Sequence, residues 1–290
     1  ARCVWLSGPD CLLGSCVEAS NITSAGAAAA FGNFSGGSDI GFEEGIILCT
    51  GAAVDAPGPE SGIVTTVHST PGDPDLDALS GVTTNDAAII EFEFVSPSDA
   101  VTFEYIFASH EYDGFTCSTV NDAFGFFITG PGYAPGTNVA LVPGTTTPVS
   151  INTVNSGTAS GGDNTECVNL DPNFADYNVY FNENLGSVTT DEIAYNGFTD
   201  VFTVELDLEP CETYTIKMAI ADGGDSAYDS AVFLKAGSFT SGLEVEVVPG
   251  TSTPSVDALE GCEDGYFMFI NQGPEITVPT DFEFVVGGSA

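Results

Sequence analysis

Asp222, Asp225 and Asp229 are crowded into the stretch ADGGDSAYDSAVF, and Glu111, Asp113, Asn121 and Asp122 into FASHEYDGFTCSTVNDAFGFF. Carboxylates and amides at such short spacing are hard oxygen donors, the set a calcium ion takes. Apolar segments border both clusters: residues 103–107 and 123–128 flank the first, and a run from residue 231 follows the second. Strands buried on a sheet hold the loops between them in place, so two such loops side by side at one end of a β-sandwich form an oxygen-lined site. Glu111, Asp113, Asp122, Asp222, Asp225 and Asp229 are the candidate ligands, and Ca2+ is the expected cofactor. Only two glycines separate Asp222 from Asp225, and without a cation their charges repel. Asp and Asn also gather in turns with no metal, because their side chains bond the adjacent backbone, and the spacing is not that of an EF-hand.

Other chemistries lack their parts. No GxSxG is present for a serine nucleophile, His110-Glu111 lacks the second histidine of HExxH, and Gly130-Pro131-Gly132 lacks the lysine of a phosphate loop. Glu91 with Glu93, and Glu205 with Asp207 and Glu209, share strand faces and leave glycoside hydrolysis open. Solvated strand faces are the commoner reason for such pairs, and no catalytic residue is expected. A calcium-dependent lectin is the alternative binding class, with Tyr112 and Tyr228 as possible ligand contacts on a sugar.

Charge narrows the partners. Among 290 residues, 42 acidic side chains face three basic ones, Arg2, Lys217 and Lys235, for a formal net charge of −39. Nucleic acid is excluded as a partner, since neutralising phosphates takes Lys and Arg, and anionic membrane surfaces are disfavoured for the same reason. Self-repulsion on this scale calls for a medium rich in salt or divalent ions. Eight cysteines, Cys3, Cys11, Cys16, Cys49, Cys117, Cys167, Cys211 and Cys262, show no zinc spacing and point to disulfides made in an oxidising compartment. Their connectivity is open: Cys117 with Cys167 would tie the central loop to the long insertion after it, and Cys3, Cys11, Cys16 and Cys49 could staple the N-terminal segment, leaving Cys211 and Cys262. No apolar run approaches the ~20 residues that span a bilayer. The start, ARCVWLSG, lacks the regions of a signal peptide, so residue 1 of an exported chain is expected to be a processed terminus.

The positioning elements read as strands. Residues 88–95 and 101–107 alternate apolar and polar around the turn at Ser96-Pro97-Ser98-Asp99, predicting an antiparallel hairpin with one buried face. Further strands are expected at residues 45–48, 139–142, 149–151, 179–181, 198–206, 214–220 and 231–239, with long loops over 52–85 and 152–176. No segment shows helical periodicity over three turns. The fold class is therefore all-β, an antiparallel sandwich or jelly roll with long loops. Residues 1–40 read as a loop-rich, cysteine-containing segment with one short strand, 41–241 as the sandwich, and 242–290 as a linker with a partial β-module. Strands at 243–248, 265–270 and 282–286 cannot bury both faces of their own sheet. Either the natural chain continues, or they complete a sheet in a neighbouring copy and so build a homopolymer by strand addition.

The segment FASHEYDGFTCSTVNDAFGFFITGPG, with GFEEGIILCTG before it and TYTIKMAIADGGDSAYDSAVFLKAGSF after it, closely resembles the choice-of-anchor L domain. The resemblance implies a secreted or cell-surface protein, exported commonly by the route that uses C-terminal sorting modules and displayed at the surface; it implies no activity. Two positions depart from the usual pattern: His110-Glu111 stands where members carry two acids before the tyrosine, and Lys235 where an acid is common. Both imply weaker calcium binding than in relatives. The tail from Ala258 resembles the first half of a Calx-beta-type module. The expected function is a non-enzymatic extracellular structural or adhesion module, a surface adhesin or filament subunit, stabilised by calcium and disulfides. Its expected partners are further copies of itself, a surface glycan or a cell-surface protein.

Overall fold

The computed structural model describes residues 12–14 and 17–241, together with two strands beyond them, 245–251 and 265–271. In chain order the strands are β1 (Glu18–Ala25), β2 (Phe31–Ser35), β3 (Glu44–Cys49), β4 (Thr84–Val95), β5 (Ala100–Ser109), β6 (Ala123–Gly130), β7 (Tyr133–Asn138), β8 (Phe181–Glu183), β9 (Gly197–Thr199), β10 (Phe202–Asp207), β11 (Thr213–Gly223), β12 (Ser230–Lys235), β13 (Thr240–Ser241), β14 (Val245–Thr251) and β15 (Gly265–Asn271). One sheet runs β1-β4-β11-β6-β7 and the other β2-β3-β12-β5-β9-β8, with β10 and β13 also pairing with β5. All these ladders are antiparallel.

Alternation decides which face each strand buries. Ile90, Phe92 and Phe94 of β4 lie inside while Glu91 is exposed, and Phe202, Val204 and Leu206 of β10 lie inside while Thr203, Glu205 and Asp207 face water. Between the sheets the core is largely aromatic. Phe239 sits against Phe92, Phe94 and Phe103 at centroid distances of 5.4, 5.1 and 5.3 Å, and Tyr105 packs on Phe124 and Phe126 at 5.5 and 4.9 Å. Each ring so buried stabilises the fold by about 2–3 kcal/mol relative to exposure.

The sandwich and its long loops match expectation, but several pairings do not. β4 and β5 form no hairpin. β4 pairs with β1 and β11, β5 with β12 and β10, and the turn between them carries the chain from one sheet to the other. Alternation reports a buried face, and a crossover between facing sheets buries the same face as a hairpin would. Residues 139–142 and 149–151 make only single bridges, Leu141 with Pro148 and Ser150 with Ala123, while β7 takes the edge position earlier in the chain. Their apolar side chains are buried as core filling and not as a ladder: Ala140, Val142, Val149 and Ile151 are all inside. The run at 179–181 is mostly a 3-10 turn, Phe174–Tyr180, and 198–206 divides into β9 and β10.

Among the described residues, 18–35 are not loop-rich but supply two strands, because β1 and β2 are edge strands of the two sheets. Two short helices, α1 (Pro74–Ser80) and α2 (Thr165–Leu170), occupy the long loops. They are too short for helical periodicity to register. The start of α1 is set by Asp73, whose carboxylate accepts from the Asp75 and Leu76 backbone N–H groups, and its end by Gly81 in the left-handed conformation. Beyond the sandwich, β14 and β15 pair with each other, and among the described residues with no further strand. The strand expected at 282–286 lies outside the described residues, as do Cys3, Cys11, Cys16 and Cys262.

Candidate functional site

Two crossings between the sheets meet at one end of the sandwich. The chain leaves β5 through Ser109, His110 and Glu111 and enters β6 after Asp122; it leaves β11 through Asp222 and Gly223 and enters β12 at Ser230. The loops lock together through backbone and carboxylate. Asn121 N–H donates to the Gly223 carbonyl at 3.1 Å, and Gly223 N–H donates to Asp122 Oδ1 at 3.0 Å. Glycine is required at 223, since a Cβ there would stand 2.1 Å from the Asn121 carbonyl oxygen. Ser230 Oγ donates to Asp122 Oδ2, the Ser109 and Ser230 hydroxyls lie 2.8 Å apart, and Ser109 Oγ accepts from Glu111 N–H at 2.9 Å.

Glu111 and Asp122 are fully buried and Asp222 is 2% exposed. Asp122 has its oxygens occupied, and its N–H lies 3.4 Å from Glu111 Oε2. Glu111 Oε1 and Asp222 Oδ1 are buried with no hydrogen-bond partner. Burial, aggravated by the charges of Asp225 and Asp222, pushes the Glu111 carboxyl up to about 8. Burial, then the Asp122 charge and more weakly those of Asp229 and Asp86, pushes Asp222 up to about 9. Asp122 is raised well above the ordinary carboxylate range by burial first and the Glu111 charge second. The cluster thus resists ionisation as it stands and favours any positive charge that enters it.

No protein cation does so among the described residues. Lys217 is held by Asp73 at 2.8 Å and by Asp75, and Lys235 by Glu104. Buried His110 has its basicity lowered by desolvation and lies 3.4 Å from Asn196 Oδ1 through Nδ1. Nor do three His, Cys, Asp or Glu side chains close into a ready metal cage among those residues. A cation here would take Glu111 Oε1 and Asp222 Oδ1 and complete its shell with carbonyl oxygens or water, a mixture suited to calcium.

The other candidate ligands are placed less centrally. Asp225 is exposed at the mouth, where its carboxylate accepts from Ala227 N–H at 3.0 Å and its charge reaches Glu111 and Asp122. Asp229 is buried but engaged elsewhere: Oδ1 accepts from Thr66 N–H at 2.9 Å, and the carboxylate lies so close to Gly51 that a Cβ there would be 1.7 Å from Oδ2. Asp113 Oδ1 is also buried with no hydrogen-bond partner. Its carboxyl is raised by partial burial first and by the charge of Glu183 second. Tyr112 is fully buried with its hydroxyl donating to the Val154 carbonyl at 2.8 Å, so it is unavailable to a sugar. Tyr228 is half-buried beside Phe115, ring centroids 4.8 Å apart.

Cys117 and Cys167 form the expected disulfide, with Cα atoms 4.8 Å apart. Cys49 does not staple the N-terminal segment: it is a buried free thiol within 3.4 Å of the Ala30 carbonyl, and Cys211 is an exposed free thiol. Glu91 is exposed and Glu93 half-buried on β4, and Glu205, Asp207 and Glu209 are exposed on and just after β10, as solvated strand faces are. Sequence reasoning missed Ser109, Ser230 and Asn152. Asn152 Oδ1 accepts from Cys117 N–H at 2.6 Å while its own N–H donates to Asn121 Oδ1 at 3.2 Å. Single serines and asparagines carry no local signal for such bridging.

No curated protein and no solved structure is significantly similar to the chain. One family model does match, that of the choice-of-anchor L domain, over residues 9–240. This span takes in both sheets and the locked loops between them, and the structure has no helix long and apolar enough to cross a membrane among its described residues. The chain therefore belongs to the choice-of-anchor L domain family, a family of non-catalytic domains of cell-surface or secreted proteins.

Proposed function

We propose that the chain is an extracellular structural module that joins copies of itself into a surface filament and so serves adhesion. The observation that carries this reading is the β14–β15 pair. It follows a completed sandwich, and among the described residues it pairs with no third strand. Unpaired edges on a two-stranded unit are templates for strand addition from another chain. Electron microscopy of the purified 290-residue chain tests this. Filaments are expected from the whole chain and isolated particles from a chain ending at residue 241. Isolated particles from both would remove the polymer and leave a monomeric adhesion module.

A calcium-dependent lectin is the second reading, favoured by the partly exposed Tyr228–Phe115 pair beside the carboxylate mouth. Aromatic faces next to oxygen ligands suit a sugar ring. A glycan array would show binding that is lost in Tyr228→Ala and on chelation; silence across the array retires this reading.

A further inference from the structure

We propose that the end of the sandwich where the β5–β6 and β11–β12 crossings meet is a calcium site, with Glu111 Oε1 and Asp222 Oδ1 as its side-chain ligands and Asp225 guarding its mouth. The first ground is satisfaction. In a folded interior nearly every polar atom has a partner, yet these two carboxylate oxygens are buried with none, on residues 0% and 2% exposed. None of the donors at the crossings reaches either oxygen. Gly223 N–H and Ser230 Oγ go to Asp122, and Asp122 N–H faces the other Glu111 oxygen.

Charge is the second ground. Asp122, Asp225, Asp229 and Asp86 all add negative potential at Glu111 or Asp222. Two histidines lie near by: His110, next to Glu111 in the chain, has Nδ1 3.4 Å from Asn196 Oδ1, and His68 Nε2 is 2.8 Å from the Gly51 carbonyl. Lys217 and Lys235 are spent on Asp73, Asp75 and Glu104. Burying charges of one sign without a counter-ion is strongly unfavourable, so this cluster gains from a cation that joins it.

The donor set selects the cation. The unpartnered atoms are both carboxylate oxygens, and they come from the two crossings, one from the loop after β5 and one from the end of β11. Zinc and copper prefer nitrogen and sulfur, and magnesium demands near-octahedral geometry, whereas calcium accepts a loose shell of carboxylate, carbonyl and water oxygens. One ion would also tie the two crossings together and so pin the two sheets at this end. The inference stands whether or not the chain polymerises.

Calorimetric titration of the chelator-treated chain with calcium, at neutral pH and physiological salt, tests the site, with thermal unfolding run alongside. The expected result is saturable binding and a raised unfolding temperature with calcium, with little response to equimolar magnesium. Glu111→Gln and Asp222→Asn should each weaken calcium binding by about tenfold or more, while Glu91→Gln, on an exposed strand face, should leave it unchanged. No calcium heat, an equal response to magnesium, or full binding in both site variants would overturn the proposal. Should a variant fail to fold, terbium luminescence on the wild-type chain decides instead: emission displaced by calcium supports the site, and absence of emission overturns it.

Discussion

Ser230, the first residue of a strand in one sheet, donates its hydroxyl to Asp122, which stands at the head of a strand in the other. Asp122 also accepts from Gly223 N–H at 3.0 Å, so a single buried carboxylate joins two crossings and two sheets. Removing it leaves the Gly223 donor without its acceptor and the Ser230 hydroxyl without its carboxylate. Asp122→Ala is expected to lose about 2–4 kcal/mol in urea unfolding, and Ser230→Ala about 1–2 kcal/mol. Equal stability of Asp122→Ala and wild type would show that the bridge does not hold the sheets.

The Cys117–Cys167 bond closes a sequence separation of 50 and anchors the long loop beneath the central one. By loop-closure entropy, a cross-link of that span contributes about 4 kcal/mol. Reduction, or replacement of both cysteines by serine, should lower the unfolding free energy by about that amount and shift the midpoint down accordingly. A transition that is indifferent to dithiothreitol would contradict it.

Phe239 is fully buried among Phe92, Phe94 and Phe103, although it lies just before the short edge strand β13. Phe239→Ala should cost about 3–5 kcal/mol, as for a phenylalanine removed from the middle of a core. Phe239→Leu, which keeps most of the volume, should cost less. The ratio of the two, from denaturant unfolding, reports how tightly the aromatic cluster is packed.

Asp171 accepts from the Thr147 hydroxyl, from Asn173 N–H at 2.8 Å and from the Tyr177 hydroxyl at 2.7 Å. The Thr147 bond first, then the Asn173 bond, holds its carboxyl below the ordinary aspartate value. A group whose pKa falls on folding adds stability that is complete above its unfolded value and is lost as pH drops through the folded one. The advantage of wild type over Asp171→Asn should therefore be full near neutrality and shrink in strong acid. Unfolding temperatures of both proteins across that range check it; a constant difference would mean that the carboxylate charge has no part in the clamp.

Strand faces and the acidic loops were legible in the sequence, and strand partners were not. Ile90, Phe92 and Phe94 announced a buried face by alternation, but nothing in that pattern separates a hairpin with β5 from a crossover to the facing sheet. Val142, Val149 and Ile151 announced burial as well, yet they fill the core from a loop. Glu111, Asp122 and Asp222 were readable as neighbours because apolar strands flank both of their loops. Asp113 was grouped with Glu111 by proximity in the chain, and the charge that acts on its carboxyl is that of Glu183.

By itself the sequence determined an all-β chain, an anionic surface, one disulfide pairing that could be anticipated and two loops rich in oxygen donors. These are local properties: alternation follows from the pleat, and charge and donor type follow from composition. Only the tertiary structure decided that β1 and β2 close the sheet edges, that Cys49 remains a thiol, that Tyr112 is buried, and that Ser109 and Ser230 join Asp122 between the sheets. Those outcomes depend on which distant segments bury one another's apolar faces, and no short window of sequence contains both partners.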